Sequence, residues 1–190
     1  MKTLVVSIII GCLSYVALKQ PITKNEDVII WNKNRLLTWD DFKGKVDTTT
    51  EHLAVTYSRT STTFKSLKDT LFMSVIATMN PVKSWKRSNK LSKEVLKHEQ
   101  LHFDIAELYA RKLKLELGKM VVTKKEAQKK IDELLTLNTQ QFKQYQALYD
   151  KETDHSKLKA KQLEWGNKIT KGLKELEVYG KPSIKVLLKK

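Results

Sequence analysis

The sequence predicts an α+β fold, in which an N-terminal antiparallel sheet is followed by a long helix and then by further helices. Between Asp27 and Lys86, β-branched and aromatic residues are concentrated in short runs, which is typical of strands. After Ser88 the apolar residues recur at helical spacing instead. Neither a repeat nor a long linker divides residues 21–190, so we expect them to form one domain.

Three runs are the candidate strands of this sheet. The first is the apolar segment 28–31, which ends at a turn-forming segment, residues 32–34. The second covers residues 53–58. In the third, alternate residues are apolar, which favours a strand with one face on a core, and Asn80-Pro81 should end it. The alternating residues are Leu71, Met73, Val75, Ala77 and Met79.

Three helices are predicted in the second half of the chain. Ser92 is a suitable N-cap for the first helix, whose apolar residues recur as far as Gly118. Thr123 and Glu126 have the spacing of a capping box for the second helix, which should end near Tyr149. A third helical stretch follows residue 156. Residues 182–190 are expected to form a short edge strand or to be disordered.

The chain is strongly basic, with 36 Lys and Arg against 21 Asp and Glu and a net charge of +15. Only four of these basic residues are arginine, whereas proteins that read nucleic-acid bases usually rely on arginine forks and aromatic platforms. We therefore expect no nucleic-acid partner. A lysine surface is better suited to an anionic surface of the cell envelope, which we expect as a further partner.

Residues 1–20 are expected to be an export signal rather than part of the fold. A basic residue at position 2 precedes an apolar run, residues 4–18, which is short for a membrane span. Residues 9–12, Ile-Ile-Gly-Cys, resemble a bacterial lipobox, so both a signal peptide and a lipoprotein signal with lipid on Cys12 stay open. The protein is expected in the periplasm, at the cell surface or outside the cell. Once this segment is cleaved, no membrane span is expected.

The first predicted helix contains His98-Glu99-Gln100-Leu101-His102, which matches the H-E-x-x-H motif of zinc peptidases. Four residues along a helix bring the second histidine to within about 40° of the first, one turn further on. Both imidazoles can then bind one Zn²⁺, and Glu99 can act on a nearby water as a general base. Cys12 is the only cysteine, so a site in the mature domain needs histidine and carboxylate ligands.

A catalytic zinc site needs a third protein ligand. His155, in the polar segment after the second helix, is the preferred candidate, and Glu152 and Asp154 are the alternatives. Asp104 and Glu107 lie on other faces of the first helix and are expected to contact the sheet or the ligands instead.

Three further side chains lie near the predicted ligands in the sequence or resemble them in type. His52 is expected to be solvated. Tyr145 and Tyr149 precede the loop that carries His155, and they are candidate donors to an oxyanion.

Three segments together resemble a bacterial family of secreted, zinc-dependent proteases that was long catalogued as a domain of unknown function. They are residues 98–107, residues 35–44 and residues 149–156, and the resemblance spans about residues 28–170. It implies a zincin-like metallopeptidase fold, a peptide or protein substrate, zinc on His98, His102 and His155, and Glu99 as base. One departure is Ser156, where the family commonly has glycine.

Two other classes of function stay open. A non-catalytic binding protein of the cell envelope could hold zinc structurally with four protein ligands. A basic, adhesin-like protein could bind anionic surfaces through its lysines, and this binding would be salt-sensitive. The glutamate between the two histidines favours the enzyme, because a structural site has no use for a general base.

Overall fold

The computed structural model describes residues 28–189, where antiparallel strands precede three long helices. This confirms the predicted α+β class. The expected export signal, with Cys12, lies outside the described residues. Between residues 28 and 189, no helix is both long and apolar enough to cross a membrane. In chain order the elements are β1 (Ile29–Ile30), β2 (Ala54–Val55), β3 (Ser58–Leu67), β4 (Thr70–Met79), β5 (Trp85–Lys86), α1 (Lys93–Gly118), α2 (Lys124–Thr153), α3 (Lys159–Glu175) and β6 (Ser183–Leu187), with short 3-10 helices at Trp39–Asp41 and Glu177–Tyr179.

The larger sheet is built around β4. Strand β3 pairs with β4 along its whole length in an antiparallel hairpin, while β6 and β1 pair with the two ends of the opposite edge of β4. The alternating apolar residues of β4 are buried in the core, as their spacing predicts. Strands β2 and β5 form a separate two-stranded sheet. The C-terminal segment therefore supplies an edge strand, β6, which was one of the two expectations for it.

Strand β3 is longer than the sequence predicts. We expected a strand over residues 53–58, but the chain forms the short β2, and then begins β3 at Ser58. Residues 59–63 are Arg, Thr, Ser, Thr and Thr, and the strand lies at the edge of the sheet with most side chains partly or fully exposed. A strand that buries little of either face lacks the apolar alternation by which strands are recognised.

Helix α1 lies at the centre of the molecule. One set of its apolar residues packs against the inner face of the sheet, and Leu113 and Phe103 belong to this cluster. A second cluster joins α1 to α2 and α3 through Ile105, Tyr149 and Trp165. The helix that carries the H-E-x-x-H sequence is thus fixed from both sides, which holds its side chains in a defined orientation.

The helix termini follow the predicted caps, with one difference that concerns the site. Ser92 Oγ accepts a hydrogen bond from the Val95 backbone N–H at 3.3 Å, and Thr123 and Glu126 form the capping box. Helix α1 ends at Gly118 as predicted, but α2 continues to Thr153, one turn beyond the predicted end at Tyr149. Residues 150–153 are therefore helical.

Candidate metal centre

Three polar side chains from α1 and α2 converge on one point. His98 and His102 are one turn apart on α1, and Asp150 reaches them from the last turn of α2. Asp150 Oδ1 lies 3.0 Å from Nε2 of each histidine, and the two Nε2 atoms are 3.1 Å apart. Each residue thus directs one potential ligand atom into the same small volume.

This donor set fits a single metal ion. Zinc bonds of about 2.0–2.1 Å in tetrahedral geometry separate neighbouring ligand atoms by about 3.3 Å, close to the separations between these three atoms. Two imidazoles and a carboxylate are also chemically suitable zinc ligands. His98, His102 and Asp150 could therefore hold a metal ion.

His102 is oriented by a contact with α2 on its other ring nitrogen. Nδ1 of His102 lies 2.6 Å from Gln146 Oε1, and Gln146 Nε2 donates back to the His102 carbonyl at 3.0 Å. A proton on Nδ1 that is donated to Gln146 leaves the lone pair of Nε2 for a metal. His98 is held differently, since its ring stacks on Tyr149 with centroids 4.6 Å apart.

Replacing Gln146 by alanine should weaken metal binding about 10- to 100-fold, because His102 loses the acceptor that fixes its ring. A competition titration against a metal-binding dye measures this. Gln144→Ala, an exposed position on the same helix, is the matched control and should bind like the wild type. Equal affinity in both variants would show that Gln146 does not orient His102.

Glu99 is buried beside the donors without being one of them. Glu99 is only 3% exposed, and its Oε2 accepts a hydrogen bond from Thr56 Oγ1 at 2.7 Å. Thr56 lies in the segment between β2 and β3. Glu99, His98, His102 and Asp150 line one pocket of about 320 Å³, which we call the metal pocket. Residues 52–58 form one wall of it, and α2 contributes another.

Two groups in the metal pocket, His102 and Asp150, change each other's pKa. Burial alone would lower the pKa of His102. The hydrogen bond to Asp150 and the negative charges of Asp150 and Glu99 outweigh burial and raise this pKa to about 9. Burial raises the pKa of Asp150, but hydrogen bonds from His102 and His98 outweigh it and hold this pKa well below its usual range. In the metal-free protein, His102 and Asp150 thus form an ion pair at neutral pH.

Metal affinity should therefore rise steeply with pH. A metal must displace the proton of His102, so the apparent affinity should increase about tenfold per pH unit below the pKa of about 9 and level off above it. The metal-free fold should show the opposite trend: charged His102 stabilises it fully below pH 6.5, and this stabilisation should be lost as pH rises through about 9. Calorimetric titration with zinc across this range measures the slope. A flat affinity above pH 6.5 would contradict the ion pair.

His155, the predicted third ligand, lies next to these donors. Its Nδ1 is 3.5 Å from Asp150 Oδ1, its side chain is 44% exposed, and its ring packs on His52 with centroids 4.7 Å apart. The structure thus places His155 at the edge of the metal pocket, in contact with Asp150. Its role as a zinc ligand stays a prediction. His52, expected to be solvated, is partly buried by this contact.

The alternative carboxylates are directed elsewhere. Glu152 Oε2 accepts a hydrogen bond from Trp165 Nε1 at 2.8 Å, and Asp154 pairs with Lys157 at the surface. The two tyrosines proposed as oxyanion donors do not line the metal pocket. Tyr149 is fully buried with its hydroxyl 3.5 Å from the His98 carbonyl, and Tyr145 packs in the cluster between the helices. The structure therefore gives no support for their oxyanion role.

Asp150 was not recognised from the sequence as a ligand candidate. The predicted end of α2 at Tyr149 placed it in a loop, where its direction is undefined. A usable signal was the spacing of Gln146 and Asp150, which are four residues apart and therefore on one face of a helix. In the structure both contact His102.

The chain reverses direction immediately after α2. Asp154, His155 and Ser156 have positive φ angles of 44°, 49° and 79°. This left-handed backbone is most easily adopted by glycine, which explains why glycine suits position 156. Ser156 adopts this conformation, and His155 lies at the edge of the metal pocket.

The fold and site define a class: an α+β domain whose central helix and its neighbour present two histidines and an aspartate to one candidate metal. Residues 43–156 match the family model described as bacterial protein of unknown function, DUF922. This match covers more than half of the chain and all residues of the candidate centre, so the chain belongs to the DUF922 family. No curated protein and no solved structure gives a significant match.

Proposed function

We propose that this protein is a zinc-dependent metallopeptidase, in which His98, His102 and Asp150 hold the metal and Glu99 is the general base. The observation that most supports this is the position of Glu99. Its carboxylate is buried in the metal pocket and held by Thr56, yet it is not one of the three converging donors. A metal site with a purely structural role does not need such a group.

Zinc is favoured over other metals by the motif as a whole. Two histidines and a carboxylate also form the iron site of non-haem oxygenases, so the donor set alone does not choose the metal. The H-E-x-x-H arrangement adds a glutamate that can serve as a base, which is the requirement of zinc hydrolysis. Zinc bound here would supply a Lewis acid that polarises a carbonyl group and lowers the pKa of water.

Glu99 would move the protons of the reaction. The hydrogen bond from Thr56 to Oε2 fixes the orientation of the carboxylate, so that Oε1 can accept a proton from the attacking water. The protonated Glu99 can then donate this proton to the leaving amine. Gln146 holds the ring of His102 in place throughout, and the ring of Tyr149 stacks on the ring of His98.

The shape of the site is suited to a peptide or protein substrate. The metal pocket opens between the segment 52–58 and α2, and Leu53 and Tyr57 are 45% and 43% exposed in that segment. Apolar and aromatic side chains at the wall of a cleft are typical binding groups for substrate side chains.

A structural zinc site is the second candidate, and the position of His155 favours it. A shift of the loop at residues 154–156 that carried His155 Nδ1 onto the metal would give four protein ligands and close the site. Such a protein would be a zinc-containing binding module of the cell envelope, and Glu99 would have no part in its function.

The test is metal content together with hydrolysis, both measured on the purified full chain. We expect about one zinc per chain after exhaustive dialysis, and cleavage of an unfolded-protein mixture that a chelator abolishes and added zinc restores. Zinc bound in this amount without cleavage of any substrate would favour the structural site. Iron in place of zinc, or no retained metal, would overturn the proposal.

A further inference from the structure

The sheet has a second face, and its side chains are largely exposed at the end where β3, β4 and β6 pair. Directly paired residues of antiparallel strands point to the same side, and the odd-numbered residues of β4 point towards α1. The even-numbered residues therefore point away from α1, together with their partners. We define the outer sheet face by two rows of paired residues: Leu67, Thr70 and Leu187, and next to them Lys65, Phe72 and Lys185.

The outer sheet face is both apolar and cationic. Leu67, Phe72 and Leu187 are 56%, 37% and 74% exposed. Lysines lie on both sides of Phe72, and Lys185 Nζ is 5.5 Å from the centre of its ring. None of the six residues is acidic, and the nearest acid in the chain, Asp69, follows Lys68 in the turn between β3 and β4.

This combination is complementary to the surface of an anionic bilayer. Leucine and phenylalanine side chains can enter the boundary between headgroups and acyl chains, while neighbouring lysines reach the lipid phosphates. A second copy of this chain is a poorer partner, because Lys65 and Lys185 would meet the same cations on the other copy. An apolar protein groove would leave both ammonium groups without a counter-charge.

The position of the outer sheet face along the chain supports the same partner. The apolar run at residues 4–18 precedes β1, which pairs with β4 in this sheet. The segment between this run and β1, residues 19–28, spans at most about 35 Å when fully extended. A chain held in a membrane by that run would therefore keep β1 within about 35 Å of the lipid surface. Strand β1 pairs with Thr78 and Met79 of β4, and the outer sheet face begins six residues further along β4, at Phe72.

We propose that the outer sheet face binds the surface of an anionic lipid bilayer. Leu67, Phe72 and Leu187 enter the headgroup region, and Lys65 and Lys185 pair with lipid phosphates. The outer sheet face shares no residue with the metal pocket. This inference does not depend on the metallopeptidase proposal.

The test is a fluorescent label on the outer sheet face of the full chain. Cys12→Ser removes the only cysteine, and Leu67→Cys then carries an environment-sensitive dye. The matched control places the same dye at Leu163→Cys on α3, where the native leucine is 66% exposed. Each chain is mixed with vesicles of phosphatidylcholine alone or with about one-quarter phosphatidylglycerol. Every chain keeps residues 4–18, so a difference between the two labels reports on the face rather than on the N-terminal run.

We expect dye emission at position 67 to rise about threefold on anionic vesicles and to stay unchanged at position 163. Adding Lys65→Glu and Lys185→Glu should raise the lipid concentration that gives half of the maximal response at position 67 by about thirtyfold or more. Equal responses at the two positions, or a response at 67 that ignores the lipid charge, would overturn the proposal. So would a rise at position 67 with protein concentration alone, which would show that a second copy covers the face.

Discussion

Glu99→Gln should abolish peptide hydrolysis and leave the bound metal in place. Glutamine has the same shape and its amide oxygen can still accept the hydrogen bond from Thr56, but it cannot take a proton from water. Loss of a general base costs about 10²- to 10⁴-fold in rate or more. The measurement is kcat on any substrate found for the wild type, alongside zinc per chain for the same preparation.

The matched control for Glu99→Gln is Glu94→Gln. Glu94 lies in the first turn of the same helix, where its side chain is 37% exposed and pairs with Lys97. This variant should hydrolyse peptides and bind zinc like the wild type. If Glu99→Gln retained nearly full activity, water would be activated by another group and the mechanism would be wrong. If it lost zinc, Glu99 would be needed for the site itself.

Asp150→Asn should remove most of the metal affinity, more than about a hundredfold, and the activity with it. Asparagine keeps the shape of the side chain but loses the charge that a divalent ion requires from its carboxylate ligand. The same change should lower the pKa of His102, because Asp150 raises that pKa through a hydrogen bond and through its charge. Zinc titration and histidine NMR on the metal-free chain measure the two effects separately.

Two companion variants make the third ligand unambiguous. His155→Ala should leave zinc bound if Asp150 is the third ligand, and Glu152→Gln should do so in either case because Glu152 faces Trp165. Loss of zinc in His155→Ala with retention in Asp150→Asn would assign the ligand as the family resemblance implies. Loss in both variants would indicate a closed site with four ligands.

Much of the fold could be predicted because its local signals agree with its tertiary packing. Residues of β4 alternate between core and surface, and the caps at Ser92 and Thr123 satisfy the helix N-termini by contacts within a few residues. Strand β3 was mostly missed because its Ser and Thr side chains lie at an edge. The pairing with β4, a long-range contact, determines its conformation there.

The candidate site also has a part that local sequence predicts and a part that depends on tertiary packing. The spacing of His98 and His102 is a property of one helix, so the sequence alone places them together. The third donor depends on where α2 crosses α1, which is set by the packing of Tyr149 and Trp165 against Ile105. It also depends on one more helical turn at the end of α2. No local pattern of residues predicts the crossing point of the two helices or the extra turn of α2. The sequence therefore left His155, Glu152 and Asp154 as candidates for the third ligand.

The two elements that meet at the candidate centre are distant in the chain, since Asp150 is 52 and 48 residues from the two histidines. A metal bound there would close this loop as a disulfide does, in a chain whose single cysteine allows no internal disulfide. Binding to the folded state alone adds about 1.4 kcal/mol of stability for each tenfold excess of zinc over its dissociation constant. The thermal midpoint of this protein, and its resistance to proteolysis, would then follow the supply of zinc in its compartment.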